Sequence, residues 1–265
     1  MKDYAEIAKT IRRDIIEMIF AAGSGHAGGS LSLADIFAVL YFGEMNHDPS
    51  RLQWEERDRL ILSKGHAAPV LYSALARSGY FDPDNLKTLR KTDSFLEGHP
   101  AMKTPGVEVG TGSLGQGLSI GCGLAVYFKK RQTSQRVFVI LGDGELQEGQ
   151  NWEAFMFAGH NKLNNLTAVI DLNDLQIDGN VSEVNTIEPI ADKMKAFNWN
   201  YEAIDGHNID QIQNAFKNAR LSEKPFAVIA KTVKGRGVSY MENRAEWHGK
   251  PLNKEDHDKA MKELL

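Results

Sequence analysis

Asp143 and Asn173 are the residues whose types and spacing best suit chemistry, because each follows directly on a short apolar run. Val137-Phe138-Val139-Ile140-Leu141 leads into Gly142-Asp143-Gly144, and the run from Thr167 to Asp171 leads into Leu172-Asn173-Asp174-Leu175. One crossover helix fits between the two runs. A right-handed strand-helix-strand unit would then bring both side chains to the same edge of a sheet. A carboxylate at that edge repels a diphosphate by about 4 kcal/mol, for unit charges roughly 4 Å apart at an effective dielectric of about 20. A divalent cation reverses the sign. Mg²⁺ prefers octahedral oxygen coordination shared between protein and phosphate oxygens, and the Asp143 carboxylate, the Asn173 amide oxygen and the backbone carbonyl near Leu175 could complete such a set. Gly142 and Gly144 permit a tight turn and close backbone approach. A helix expected to start near Gln150 to Asn151 turns N–H groups toward anions. Gly-Asp-Gly alone is also a common turn; the paired strand-end asparagine is what sets this one apart.

Histidines form the second group. Of the eight, His26, His66, His99 and His248 are each flanked by glycine, a setting that holds backbone close to a ligand and leaves the imidazole without helical neighbours. His47, His160, His207 and His257 read as surface or satisfied core residues. The single cysteine, Cys122, lies among small residues in an expected buried helix and is assigned no chemistry.

The elements that must position these groups alternate along the chain. Leu60-Ile61-Leu62, Val137 to Leu141, Thr167 to Ile170 and Phe226 to Ala230 are continuously apolar, which predicts strands covered on both faces. Helical patterns lie near Ala67 to Ser78, Gly115 to Lys130, Asn151 to Lys162 and Asp210 to Leu221. An opening amphipathic helix carries Ile7, Ile11, Ile15 and Ile19 four apart, and a closing one runs from about Lys254 to Leu264. The glycine-rich stretch Gly23 to Gly29 is expected to break the helical pattern completely. Ser30 or Ser32 would then cap a helix through Leu33, Ile36, Phe37 and Leu40. Gly235 to Pro251 reads as an ordered surface excursion. The fold class expected is α/β: a single doubly wound, mostly parallel sheet with helices on both faces, in one domain over residues 1–265, with ligands beyond the carboxyl ends of the strands.

Composition narrows the function classes. With 42% hydrophobic residues in 265, the chain can bury a substantial core, so it needs no second small domain. Its 31 basic and 35 acidic residues are scattered rather than blocked, which argues against a nucleic-acid platform. The N-terminus lacks a secretory pattern and no apolar run approaches the roughly 20 residues that span a bilayer, so no membrane association and a cytoplasmic location are expected.

Gly142-Asp143-Gly144 followed by Asn173 resembles the thiamine diphosphate signature, and the longer run to Gly149, with Glu145, Leu146, Gln147 and Glu148, resembles transketolase in particular. The similarity extends through Ser24-Gly25-His26-Ala27-Gly28, Leu62 to Ala67, Glu97-Gly98-His99-Pro100, Gly112-Ser113-Leu114-Gly115-Gln116-Gly117 and Trp247-His248-Gly249, nearly the whole chain. The resemblance implies that Asp143, Asn173 and the Leu175 carbonyl hold Mg²⁺, or Ca²⁺ or Mn²⁺. It implies cofactor contacts from His66, Gly112, Ser113, Leu114, Gly142, Asp143, Gly144, Glu145, Asn173 and Glu148. His26 and His248 would serve substrate contact and proton relay, His99 the donor sugar's hydroxyls, and His66 would lie near the diphosphate. Glu148 matches a glutamate at the family's subunit contact; a solvated glutamate at a helix start is its plainer reading.

The reaction implied is transfer of a two-carbon ketol unit from a ketose phosphate to an aldose phosphate. In the family, the carboxylate that activates the cofactor's aminopyrimidine and the arginines that clamp substrate phosphate belong to a pyrimidine-binding domain, which is not found within these residues. A C-terminal transketolase subunit is therefore the expected partner, in a heterotetramer of two pairs. Two departures are noted: Ala27, where many relatives have proline, and the basic Lys234-Gly235-Arg236-Gly237, both read as lying outside the metal site. Two alternatives stay open. One is a subunit of another thiamine diphosphate enzyme, of the 2-oxoacid dehydrogenase or 1-deoxyxylulose 5-phosphate synthase type; the other is a non-catalytic regulatory relic.

Overall fold

Four continuously apolar runs become four strands of a five-stranded parallel sheet in a computed structural model that describes residues 2–265. In chain order, helices α1 (Tyr4–Ala22), α2 (Ala27–Leu31) and α3 (Ala34–Val39) precede β1 (Arg59–Leu62), α4 (Ala68–Ser78) and α5 (Gln116–Lys130). Then follow β2 (Val137–Gly142), α6 (Gly149–His160), β3 (Leu166–Leu172) and a two-residue-per-strand ribbon of β4 (Leu175–Gln176) and β5 (Gly179–Asn180). The chain continues through α7 (Val181–Val184), α8 (Ile190–Ala196), β6 (Asn200–Asp205), α9 (Ile209–Leu221), β7 (Phe226–Lys231) and α10 (Lys254–Glu263). The strand order is β1-β2-β3-β7-β6.

Both faces of this sheet are covered, as unbroken hydrophobicity requires. Phe138 and Ile140 of β2, Val169 of β3 and Val228 of β7 join a core with α1, α3, α4 and α9, while Val139, Leu141, Ile170 and Ile229 join a second core with α5 and α6. Each such apolar side chain contributes about 1.5–3 kcal/mol on burial. A one-residue slip of β2 would exchange its two faces, so the register is strongly specified. That register pairs Gly142 with Asp171, and with it the carboxyl ends of β2 and β3.

Four expectations are corrected. β6 was not visible as an apolar run because Asn-Tyr-Glu-Ala-Ile-Asp forms the sheet's edge, where only Ile204 is buried. The glycine-rich stretch is broken only as far as His26: α2 starts at Ala27 and includes Gly28 and Gly29. Glycine inside a helix is unfavourable by about 0.5–1 kcal/mol relative to alanine, but a Cβ on Gly28 would come within 2.9 Å of Lys234 Cγ and 3.1 Å of the Trp247 carbonyl. Neither Ser30 nor Ser32 caps the start of a helix: Leu33 stands there before α3. Ser30 Oγ donates to the His26 carbonyl at 2.8 Å, and Ser32 Oγ donates to Asp171 at 2.8 Å. Finally, the excursion from Gly235 to Pro251 is not wholly superficial, since Val238, Met241 and Trp247 are buried in the first core and return His248 to the sheet edge. The closing helix has the expected start, with an Asn253–Asp256 capping box. Among the described residues, no helix is long and apolar enough to cross a membrane.

Candidate active site at the carboxyl edge of the sheet

Adjacent β2 and β3 deliver Asp143 and Asn173 to one place. Asp143 is buried, and its carboxylate accepts backbone N–H groups from Gly144 at 2.8 Å, Asn173 at 2.9 Å and Asp174 at 2.5 Å. The Asn173 amide oxygen accepts from Leu175 N–H at 3.1 Å, which leaves it a second lone pair. Asp143, Asn173 and Leu175 line a single hollow of about 360 Å³ together with His26, His66 and His248.

Beneath this hollow lies a buried ion pair that the sequence reading did not anticipate. Lys64, just past β1, is bonded to Asp171 of β3 and donates to the Gly29 carbonyl of α2 at 3.0 Å. Asp171 also accepts from Ser32, from Thr232 beyond β7 and, at 3.2 Å, from the Asn173 amide. Burial alone would raise Asp171, but the Lys64 charge and the bonds from Lys64, Thr232 and Ser32 hold it below the ordinary carboxylate range. An aspartate closing an otherwise apolar strand was the available signal. A buried carboxylate needs a partner.

Among the described residues Asp143 has no such counter-ion against it. Burial, then the negative charge of Asp171, push it up to about 6 against backbone hydrogen bonds that favour the ionised form. A cation held by Asp143, the Asn173 oxygen and the Leu175 carbonyl would reverse that shift, and an all-oxygen donor set fits a hard divalent ion. Among the described residues no group of three or more His, Cys, Asp or Glu side chains gathers for a metal. One carboxylate and neutral oxygens would therefore leave coordination positions for a ligand's own oxygens.

Lys234 corrects the reading that placed the basic segment outside the metal site. Only 2% exposed, it donates to the Leu175 carbonyl at 2.8 Å and lies 2.8 Å from His248 Nδ1. Burial, then the charge of Lys64, lower it to about 8. It stays protonated at neutral pH, and an ammonium only donates, so Nδ1 of His248 accepts and its ring proton sits on Nε2. The segment is held by His207, otherwise a structural residue, whose Nε2 accepts from Val233 N–H at 2.8 Å while Nδ1 meets Asp35 at 2.7 Å.

Three of the four histidines expected at the site converge. His26 precedes α2, His66 sits in the turn between β1 and α4, and His248 ends a short turn after Trp247, with ring centroids 5.0–5.5 Å apart. Burial is the first cause that lowers each: His26 to about 4, His248 to about 3 and His66 well below its ordinary value, with neighbouring cations adding to it. All three are neutral at pH 7. His26 Nδ1 is buried with no hydrogen-bond partner among the described residues. His99 is exposed and stands apart from the hollow, with its ring 3.5 Å from where a Cβ on Gly112 would lie.

The other expected contacts divide. Gly112, Leu114, Gly142, Gly144 and the exposed Glu148 line the hollow, and Ser113 is exposed outside it. Glu145 lines it too, but its carboxylate already accepts from Ser63 Oγ, from Gly115 N–H at 2.9 Å and from Gly142 N–H at 3.0 Å, which makes it a brace for the glycine loops.

A family model described as "Transketolase, thiamine diphosphate binding domain" matches residues 4–265. The chain belongs to the transketolase family. Its relatives include the 6-deoxy-6-sulfo-D-fructose transketolase subunit SqwG of Clostridium sp. (strain MSTE9), 44% identical over 99% of this chain and 96% of that one. Transketolase of Pongo abelii is 41% identical over 98% of this chain but only 41% of its own length. The crystal structure of transketolase from Campylobacter jejuni superposes on the whole chain with a TM-score of 0.95 at 37% identity, again over 43% of its length. The chain thus spans about two fifths of these two transketolases and nearly all of the transketolase subunit.

Proposed function

We propose that this chain is the diphosphate- and metal-holding half of a split transketolase, which transfers a two-carbon ketol unit from a ketose phosphate to an aldose phosphate together with a C-terminal chain bearing the pyrimidine-binding domain. One observation carries the reading: the three oxygen groups expected to hold a cation line the same hollow as three neutral histidines and two buried lysines. Asp143, Asn173 and the Leu175 carbonyl hold Mg²⁺, Ca²⁺ or Mn²⁺, and Lys64 and Lys234 balance the diphosphate. His66, Gly112, Leu114, Gly142 and Gly144 surround it, with Glu145 bracing the loops, Ser113 outside the hollow and Glu148 at the contact with the partner. Bound thiamine diphosphate supplies the carbanion nucleophile and the electron sink. The chain's own task is positioning and proton transfer. Neutral His26 and His248 accept or donate protons at substrate oxygens, and His99 contacts the donor's hydroxyls. Two such pairs in a cytoplasmic heterotetramer complete the reading.

The test is calorimetry of thiamine diphosphate binding with Mg²⁺, with and without the partner chain, followed by assay with xylulose 5-phosphate and ribose 5-phosphate. Sedoheptulose 7-phosphate is the expected product. Turnover of a 2-oxoacid alone would overturn the ketol-transfer assignment, and Asp143→Ala binding the cofactor with unchanged metal-dependent affinity would overturn the metal assignment.

A further inference from the structure

Two loops that carry histidines lie on either side of one guanidinium. Arg90 Nη1 donates to Ser24 Oγ at 2.9 Å, two residues before His26. The same group lies flat against Gly98, the residue before His99: a Cβ there would come within 2.7 Å of Arg90 Nε and 2.8 Å of its Cζ and Nη2. The glycine that flanks His99 therefore makes room for Arg90. Arg90 takes a left-handed backbone conformation, with φ of 59°, that side-chain-bearing residues seldom adopt, and its N–H donates to the Leu96 carbonyl at 2.8 Å, closing the loop between them. Such conformations gather at functional sites.

Other bonds fix the backbones but not the gap between the two loops. Ser30 holds the His26 carbonyl at 2.8 Å from within α2, and Tyr72 of α4 donates to the Glu97 and His99 carbonyls at 2.9 Å each. Among the described residues no carboxylate forms an ion pair with Arg90, and it is exposed, so it neither fills the core nor answers a buried charge. Its charge adds to burial in lowering both His26 and His99.

We infer that Arg90 is a positioning residue of the sugar-facing rim, clamping the loop of His26 to the loop of His99 so that both meet one donor molecule. The inference rests on the reading of those two histidines as donor contacts. Loss of such a clamp acts on the substrate that both histidines hold and leaves the diphosphate end alone.

The experiment uses the protein reconstituted with its partner chain, thiamine diphosphate and Mg²⁺, and measures KM and kcat for the donor and acceptor separately. Arg90→Ala is expected to raise the donor KM about ten-fold while the acceptor KM and cofactor affinity stay within about two-fold. Arg90→Lys recovers part of the loss, because an ammonium can reach Ser24 but cannot lie flat on Gly98. Gly98→Ala, which displaces the guanidinium, raises the donor KM in the same way. In the Arg90→Ala background the same change adds less than about two-fold, since the group it displaces is already gone. An unmoved donor KM in Arg90→Ala, or a Gly98→Ala effect that multiplies in full on top of it, overturns the clamp alone. Wild-type protein that fails to bind thiamine diphosphate with metal overturns the functional reading and the clamp with it.

Discussion

The floor of the hollow and its rim are built in different ways. The floor is made where strands end: Asp143 and Asn173 follow β2 and β3 directly, and Lys64 and Asp171 tie β1 to β3 with β7 attached through Thr232. The rim is made of loops, with His26, His66, His99 and His248 coming from four separate segments. Burial acts on both: it raises the Asp143 carboxyl and lowers the rim imidazoles, so these groups favour their neutral forms until a ligand brings compensating charge, whereas the floor alone also holds the ionised Lys64–Asp171 pair. A sheet edge fixes geometry by register, whereas a loop rim must be fixed residue by residue.

The largest effect expected on this contrast comes from breaking the floor. Lys64→Met leaves Asp171 buried without its cation, and the metal-free protein should lose about 3–5 kcal/mol in urea unfolding. A loss under about 1 kcal/mol would mean that Asp171 takes a proton or a water at little cost.

Next comes the rim. In the reconstituted enzyme, His248→Ala should lower kcat/KM by about 10²- to 10³-fold, equivalent to about 3–4 kcal/mol, while thiamine diphosphate affinity moves less than about five-fold. Equal losses in both would place His248 on the cofactor instead of the substrate.

A third prediction turns on sign. Asp143 has a folded-state pKa of about 6 against an ordinary 3.8, so the folded protein holds this proton more tightly than the unfolded chain. The stability this confers is present in full below about pH 4 and is lost as pH rises through about 6, on the order of 3 kcal/mol in metal-free protein. Asp143→Asn should abolish that loss and melt higher than wild type at pH 7 without metal, while losing the response to Mg²⁺ and cofactor. The rim has the opposite dependence. Its lowered imidazoles destabilise the fold as pH falls from about 6.5 toward 4, and a His26→Ala/His248→Ala double variant should flatten that side of the profile.

The smallest effect sharpens the boundary between floor and rim. Ser32→Ala removes one of several donors to Asp171 and should cost about 1 kcal/mol of stability, with donor KM unchanged.

The sequence and the structure diverge along the same division. Asp143 and Asn173 could be placed together because unbroken apolar runs mark neighbouring buried strands and one crossover helix separates them. β6 escaped notice because an edge strand need not be apolar, and Lys234 because nothing local announces that a lysine in a basic, glycine-rich segment folds back 59 positions onto the Leu175 carbonyl. The pairing of Lys64 with Asp171 spans 107 positions and is equally non-local. Glycine beside histidine marked backbone under constraint at the rim but was not specific to it, since Gly159 precedes His160 and Gly206 precedes the structural His207. It did not say what imposed the constraint: Lys234 and Trp247 against Gly28, and Arg90 against Gly98.

The ammonium resting on the Leu175 carbonyl sets an order of assembly. A free divalent ion arriving alone must share that oxygen with a fixed positive neighbour, whereas an ion arriving already wrapped in pyrophosphate brings the negative charge toward which Lys234 can turn. Metal and coenzyme should therefore load as one unit, and titration with Mg²⁺ alone should give little heat until thiamine diphosphate is present.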